Sequence, residues 1–389
     1  MRAYDVIVLG VGGMGSAACA QLARRGQNVL GIEQFQPGHD RGSSHGRTRI
    51  IRKAYFEHPD YVPLLHEAYR LWREIEADTG RRLFEPVGLL LAGRPDGAVI
   101  PGVQRAARAH ALAIEELTAD AAARRFPGFR FAAGEQVLFE PDAGFLRVEE
   151  CVHAHIERAV SRGATILTGQ RARDWSADDD AVRVTCDNTA FEARRLVVTA
   201  GAWSAQLLAE LGHALHVRRK VQLWFRSDNP AHAAAAAPAF CFDESDGFFY
   251  GFPALGDGLM KIAEHSGGQP APAPEAVERT LLPEDLPRVQ RFIAARLPGV
   301  RPLVERHSVC LYTMTPDEHF IIDRHPRHAS VFVAAGFSGH GFKFAPLVGS
   351  ILADLVTTGR TDAPIGFLSA ARTALRQAQG SPRSPGEPV

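Results

Sequence analysis

The sequence predicts an α/β protein: a Rossmann-like nucleotide-binding domain, with a second domain of α+β character, built on a mixed or antiparallel sheet, inserted into it. Three observations carry this. A glycine-rich turn joins a strand pattern to a helix pattern at the start of the chain. Short β-branched strands ending in glycine recur in "GATILTG" and "RRLVVTAGAWS", the style of a parallel sheet covered on both faces. Between Val217 and about Ser308 the texture changes to alternating or aromatic strands with tight turns, in "RRKVQLWF", "FCFDESDGFFYGFP" and "GLMKIAEHSGG", as in an antiparallel or mixed sheet.

In chain order, "YDVIVLGVGGMGSAACAQLARRGQNVLGIEQ" supplies a strand at Val6–Leu9, a helix over about Met14–Arg25 and a second strand at Val29–Ile32. Gly10, Gly12 and Gly15 fall in G-x-G-x-x-G spacing. They serve a tight turn, close approach of a pyrophosphate and close helix–strand packing, and the helix N-terminus adds N–H groups aimed at phosphate. Glu33 ends the second strand, where a carboxylate accepts hydrogen bonds from ribose hydroxyls. The spacing fits FAD or NAD equally; an acid there disfavours the 2′-phosphate of NADP. Tyr61–Thr79 reads as an amphipathic helix with Leu64, Leu65, Ala68, Leu71, Trp72 and Ile75 on one face. "LFEPVGLLLAG" reads as a strand pair opening a different sheet, followed by helical material through Leu117–Arg125. "SVFVAAGFSGHGFKFAPLVGSILADLVTTG" closes the pattern with a strand, a glycine loop and a long apolar helix. The expected division is a nucleotide domain from 1–84, 146–216 and 320–372, and a substrate domain from 85–145 and 217–319. The segment 373–389, "QAQGSPRSPGEPV" and the residues before it, reads as a disordered tail.

Composition narrows the function. Lys+Arg and Asp+Glu are both 44, so the net charge is zero, against a nucleic-acid binder that needs excess positive charge. The five cysteines, Cys19, Cys151, Cys186, Cys241 and Cys310, are odd in number, and none pairs in C-x-x-C spacing. Neither a metal site nor a disulfide framework follows, and a reducing cytoplasm is the natural setting. The N-terminus runs straight into a strand pattern without a signal-peptide pattern. No apolar run reaches membrane-spanning length, so no membrane partner is expected.

Cys310 stands alone in "RHSVCLYTMTPDEHFIID", with no metal or disulfide partner nearby. By itself it reads as a small buried residue in a strand. Its surroundings change that reading. "GVGGMGSAA", "SSHGRTRIIRKAY", "VVTAGAWS", "FYGFP", "LMKIAEHSGGQ" and "CLYTMTPDEHFIID…AAGFSGHGFKFAP" resemble, in order and over almost the whole chain, the monomeric sarcosine oxidase and N-methyltryptophan oxidase group of flavoprotein amine oxidases. The resemblance implies FAD, joined as a thioether through Cys310 to the flavin 8α carbon; a thiolate suits that bond once cations lower its pKa. It also implies a monomer. The matching cofactor-binding positions are Gly10, Gly12, Gly13, Gly15, Glu33, Ala200, Gly201, Trp203, Gly339, Gly341 and Phe342.

The resemblance further points to Arg52 and Lys343 as the substrate-carboxylate pair. One cation about 4 Å from a carboxylate contributes on the order of 4 kcal/mol at an effective dielectric near 20 before desolvation. A single pair can therefore dominate recognition of a small substrate. The plain alternative for Arg52 is a surface salt bridge. Lys261 matches an oxygen-activating lysine whose alternative is a strand lysine facing water. His265 matches an active-site histidine, Tyr250 and Tyr312 match contacts near the substrate, and either tyrosine could equally be core packing. His45 and Arg49 lie in the loop expected to cover the flavin. One departure stands out: the family's "HGDTR" is "HGRTR" here, so Arg47 replaces an acid.

The expected activity is oxidation of secondary N-methyl amino acids. The N-methyl carbon gives up a hydride equivalent, the imine hydrolyses to formaldehyde and the primary amino acid, and O₂ is reduced to H₂O₂. Sarcosine leads as substrate, with N-methyltryptophan or pipecolate as alternatives. A flavin dehydrogenase serving a protein or quinone, a non-catalytic flavin-binding protein and an NAD dehydrogenase are the readings from other classes.

Overall fold

The computed structural model describes residues 4–178, 180–211 and 215–372, so the tail expected at 373–389 lies outside the described residues. The first βαβ unit forms where the glycine spacing puts it, as strand Tyr4–Leu9, helix Gly13–Arg24 and strand Val29–Ile32. It sits within an eight-stranded sheet whose parallel centre runs Thr165–Leu167, Val29–Ile32, Tyr4–Leu9, Ala190–Val198 and Val331–Ala335. Strand Ile321–Arg324 lines one edge antiparallel, and the hairpin Ala172–Ala177 with Val182–Cys186 extends Ala190–Val198. The period-two alternation of a strand explains the two cores. Val6 and Val8 pack with the helices Gly13–Arg24, Tyr61–Thr79 and Ala345–Thr358, while Ile7 and Leu9 pack with Val182, Val184 and Leu208.

Helix Tyr61–Thr79 buries the apolar face read from its spacing and stops at Gly80, whose φ of 66° closes the last turn in the left-handed region. Each of its buried leucines contributes about 1.5–3 kcal/mol over an exposed position.

A nine-stranded sheet gathers the aromatic segments, in the order Gln269–Pro270, His216–Ser227, Leu259–Glu264, Gly247–Gly251, Ala239–Glu244, Leu89–Gly93, Gln136–Glu140 and Glu115–Thr118, with Val300–Met314 also paired to His216–Ser227. Phe240, Phe242, Phe249 and Phe292 form its main core. A small third sheet, Thr48–Ile51, Gly144–Arg147 and Phe84–Glu85, lies antiparallel. "LFEPVGLLLAG" does not form a strand pair: Phe84–Glu85 joins the third sheet and Leu89–Gly93 the nine-stranded one. All five residues of Leu89–Gly93 are buried, so this strand needs neighbours and cover on every side, which a hairpin with a two-residue partner would not supply. The helix expected from Leu117 begins at Ala119, because Thr118 accepts a hydrogen bond from the Ala121 N–H and caps it. Among the described residues, no helix is long and apolar enough to cross a membrane.

Candidate active site

Two adjoining cavities lie where the two large sheets meet. The larger, about 290 Å³, runs from Glu33 and Arg173 past the Gly10–Gly13 turn and Thr199–Trp203 to Cys310, Tyr312 and Phe342. The smaller, about 60 Å³, is walled by Arg49, Arg52, Glu57, Cys241, Tyr250, His265, Tyr312, His340 and Lys343 among others. Arg49, Tyr312, Gly339 and Phe342 line both, so they form the partition between the two.

The glycine turn is built for close approach. Gly10 has φ +84°, and a Cβ there would come 2.7 Å from the Thr199 carbonyl oxygen. A Cβ on Gly15 would sit 1.7 Å from the Gly10 oxygen, so the helix could not pack on the turn. Glu33, 4 % exposed, accepts hydrogen bonds from the N–H groups of Val11 at 2.9 Å and Phe35 at 3.0 Å. Those bonds steer its carboxylate to the cavity's far end. The expected cofactor positions Gly12, Gly13, Ala200, Gly201, Trp203, Gly339, Gly341 and Phe342 all line this cavity as well.

At the other end Cys310, on strand Val300–Met314, also lines the larger cavity. Its Sγ lies 3.5 Å from Arg49 Nη2, which donates besides to the Ser43 carbonyl at 2.7 Å. Arg49 belongs to the third sheet and is anchored again through Nη1 to the Thr48 carbonyl at 2.8 Å. His45 is not part of either cavity wall; its ring bonds the Gly42 carbonyl at 3.1 Å and Ser308 Oγ at 3.2 Å. Burial, then the nearby Arg49 charge, bring its imidazole down to about 3.

Arg52 is not a surface ion pair, for it is 4 % exposed. Nη2 holds both oxygens of Glu57, at 2.6 and 2.7 Å, and Nη1 donates to the Ala54 carbonyl at 2.8 Å. Burial opposes the Glu57 charge, but Arg52 with His340 and Lys343 outweighs it and brings the carboxyl to about 2. Lys343 donates to the His340 carbonyl at 2.6 Å and to Tyr55 Oη at 3.4 Å. Burial, then the Arg52 charge, lower its ammonium to about 7 against an opposing pull from Glu57. Tyr312 Oη is 3.2 Å from His265 Nδ1, and burial, then Lys220, take the His265 imidazole to about 3. Tyr250 stands edge-on to His265, ring centroids 6.3 Å apart.

Lys261 does not face water. It is 2 % exposed, donates to the carbonyls of Gly46 at 2.8 Å and Thr48 at 2.6 Å, and lies 4.5 Å from the Phe252 ring centroid. Its side chain thus braces the loop carrying His45 and Arg49. Arg47, between those carbonyls, has φ 69°, and its guanidinium pairs with Asp257. The reversed charge is therefore neutralised locally by the Asp257 carboxylate.

Sequence reasoning did not find Glu57, Cys241, His340 or Phe56 in the smaller cavity. An acid five residues after Arg52 was a readable hint for Glu57. Phe56, four residues after Arg52, and His340, between Gly339 and Gly341, were equally near predicted positions, whereas Cys241 arrives by long-range packing that no local spacing announces.

A family model described as "FAD dependent oxidoreductase" matches residues 5–355. The chain belongs to this family. It is 42 % identical over 385 residues to a monomeric sarcosine oxidase from Streptomyces avermitilis, covering 96 % of this chain and 99 % of that one. It is 37 % identical over 354 residues to an N-methyl-L-tryptophan oxidase from Yersinia pestis, covering 90 % and 94 %. Among solved structures, NikD, an amino acid oxidase of nikkomycin biosynthesis, superposes with a TM-score of 0.85 at 27 % identity over 95 % of this chain and 98 % of that one.

The walls of the larger cavity fit the FAD that the family's description names. The Gly10–Gly15 turn with the helix N-terminus behind it suits a pyrophosphate, the carboxylate of Glu33 at one end suits a ribose, and Tyr312 and Phe342 line the other end.

Proposed function

We propose that the protein is an FAD-dependent oxidase of small N-methyl amino acids, with sarcosine as the leading substrate. The observation that carries this is the smaller cavity, whose wall includes Arg52 and Lys343 and which shares Arg49, Tyr312, Gly339 and Phe342 with the Cys310 end of the larger cavity. A water-sized molecule needs about 10–15 Å³ of such space. The 60 Å³ present thus holds a ligand of about four to six non-hydrogen atoms, the size of sarcosine. An indole side chain would require Phe56 or Phe248 to move.

Bound FAD supplies the two-electron acceptor, with O₂ as its reoxidant. The protein's own groups bind and orient. Arg52 and Lys343 draw the substrate carboxylate to one wall. That leaves the N-methyl group free to turn towards the partition. The neutral His265 and the tyrosine hydroxyls offer hydrogen bonds without adding positive charge, and three nearby cations, Arg49, Arg52 and Lys343, favour the unprotonated amine. The imine product would hydrolyse to formaldehyde and the primary amino acid, with peroxide released.

The reading extends to covalent attachment of the flavin through Cys310, supported by its place in the cavity wall beside the Arg49 guanidinium. It includes a monomer working in the cytoplasm, where five unpaired, buried cysteines are at home. It also includes the two-part division at 1–84, 146–216 and 320–372 against 85–145 and 217–319. The test is a side-by-side assay of sarcosine, N-methyltryptophan and pipecolate with peroxide detection. Stoichiometric peroxide, fastest with sarcosine, is expected. Substrate bleaching of the flavin without peroxide would replace this reading by a dehydrogenase serving another acceptor. Acid precipitation should leave the yellow colour in the pellet, and Cys310→Ser should release it.

A further inference from the structure

Lys220 lies outside both cavities, yet no other lysine among the described residues is held by so many carbonyls. It is 5 % exposed and sits on strand His216–Ser227 directly across from Cys310 of the neighbouring strand. Its Nζ donates to the carbonyls of His265 at 2.8 Å, Ser266 at 2.6 Å and Gly267 at 3.1 Å. All three ammonium protons are thereby used on one turn. The same Nζ lies 5.3 Å from the centroid of the Tyr312 ring, within cation–π range. The turn is shaped to admit it: at Gly268, φ +103°, a Cβ would come 2.7 Å from Lys220 Cδ.

Burying an ammonium is expensive unless it is fully bonded, and burial does lower this one, to about 8, with Glu264 opposing. A neutral residue could fill the space more cheaply. What the charge does here is join two pieces of the active-site wall from behind. It grips the backbone of His265 on one side and the ring of Tyr312 on the other, and these two side chains meet across the smaller cavity at 3.2 Å.

We propose that Lys220 is a positioning residue: its buried ammonium fixes His265 and Tyr312 as a pair, and so sets the substrate's orientation against the partition. This rests on the functional reading above. Small misplacements of a bound reactant lower the rate more than the affinity, and the hydrogen bonds of Lys220 go to His265, Ser266 and Gly267 rather than to the carboxylate-binding cations. Lys220 therefore acts on kcat rather than KM.

The test uses the FAD-loaded protein, with sarcosine as substrate. Lys220→Met is expected to lower kcat about tenfold or more, with KM within about twofold of the wild type. Tyr312→Phe removes the hydroxyl that meets His265. If Lys220 works through that pair, the losses of the two single variants do not add in the double variant. Lys220→Gln, which keeps two donors but no charge, should recover part of the loss. Unchanged kcat in Lys220→Met, or strictly additive losses in the cycle, would overturn the proposal. So would failure of both Lys220 variants to retain FAD and a cooperative melt, since the residue would then serve folding alone. A wild-type protein that turns over no N-methyl amino acid would instead sink the functional reading.

Discussion

Arg52 and Glu57 are held together inside the smaller cavity, one guanidinium nitrogen contacting both carboxylate oxygens at 2.6 and 2.7 Å. The cavity thus already contains a carboxylate bound to the group expected to receive the substrate's. A substrate carboxylate must share Arg52 with Glu57 or displace it, and Lys343 is the second cation that makes sharing feasible.

Arg52→Met should raise the KM for sarcosine roughly a hundredfold, about 3 kcal/mol, in the range found on removing one partner of a buried charge contact. kcat should change much less. The same variant strands Glu57 without its main partner, so thermal stability should drop too. Steady-state kinetics with a melting curve check both, and an unchanged KM would remove Arg52 from substrate binding.

The Lys343 ammonium, brought to about 7 by burial and then by Arg52, is charged below that pH and neutral above it. Binding of acetate, a carboxylate with no amine of its own to titrate, should weaken as pH rises through about 7. Lys343→Arg should flatten this dependence, because a guanidinium stays charged. Flavin absorbance titrated with acetate at several pH values gives the answer; a flat wild-type profile would contradict the role.

Histidines packed away from water make the fold sensitive to acid. Burial, with lesser electrostatic contributions, lowers His45, His155 and His265 to about 3 and His340 to about 4. Their unfolded value is near 6.5, so above that pH they are neutral in both states and have no effect. Below it the unfolded chain takes up protons that the folded one refuses, and stability falls as pH drops from about 6.5 towards 3. Each costs about 1.4 kcal/mol per pH unit in that window. Glu57 adds to the loss below pH 4.5, where the unfolded carboxylate takes up a proton that the folded one, held at about 2, does not. Melting temperature should therefore hold above about pH 6.5 and decline steadily from there to pH 5. His155, whose ring nitrogens have no hydrogen-bond partner among the described residues, is the site to replace, and His155→Phe should soften the decline.

Arg47 and Asp257 are each about one-third exposed in their side chains, so their pair is worth at most about 1 kcal/mol. Arg47→Asp sets two acids against each other and should lower the melting temperature by a degree or two. Adding Asp257→Arg should restore it. If the exchanged pair melts lower than Arg47→Asp alone, the contact does not hold this loop.

The residues that act locally were legible. The turn at Gly10–Gly15, the placing of Glu33 just after the second strand and the six-residue apolar face of Tyr61–Thr79 each report a short-range constraint, and all three are found in the structure. The pairing of Leu89–Gly93 with distant Ala239–Glu244 and Gln136–Glu140 was not legible, since alternation reveals a strand but not its neighbours. Within the site, Arg52, Lys343, His265, Tyr250 and Tyr312 converge on one cavity although they come from widely separated segments; the family resemblance, not their spacing, pointed to them. Lys261 was singled out, but neither its burial nor its place outside the two cavity walls was legible. Nothing in "GLMKIAEHSGG" says that its lysine reaches across to the carbonyls of Gly46 and Thr48.

The partition formed by Arg49, Tyr312, Gly339 and Phe342 separates two tasks in space. On the proposed function, one compartment would keep the redox group and the other would sort amines by size and charge. Changes at Phe56, Cys241 or Phe248 can widen or reshape the sorting chamber without disturbing a single atom of the glycine turn. A scaffold divided this way can exchange one amine for another over evolutionary time while its electron-handling half stays as it was.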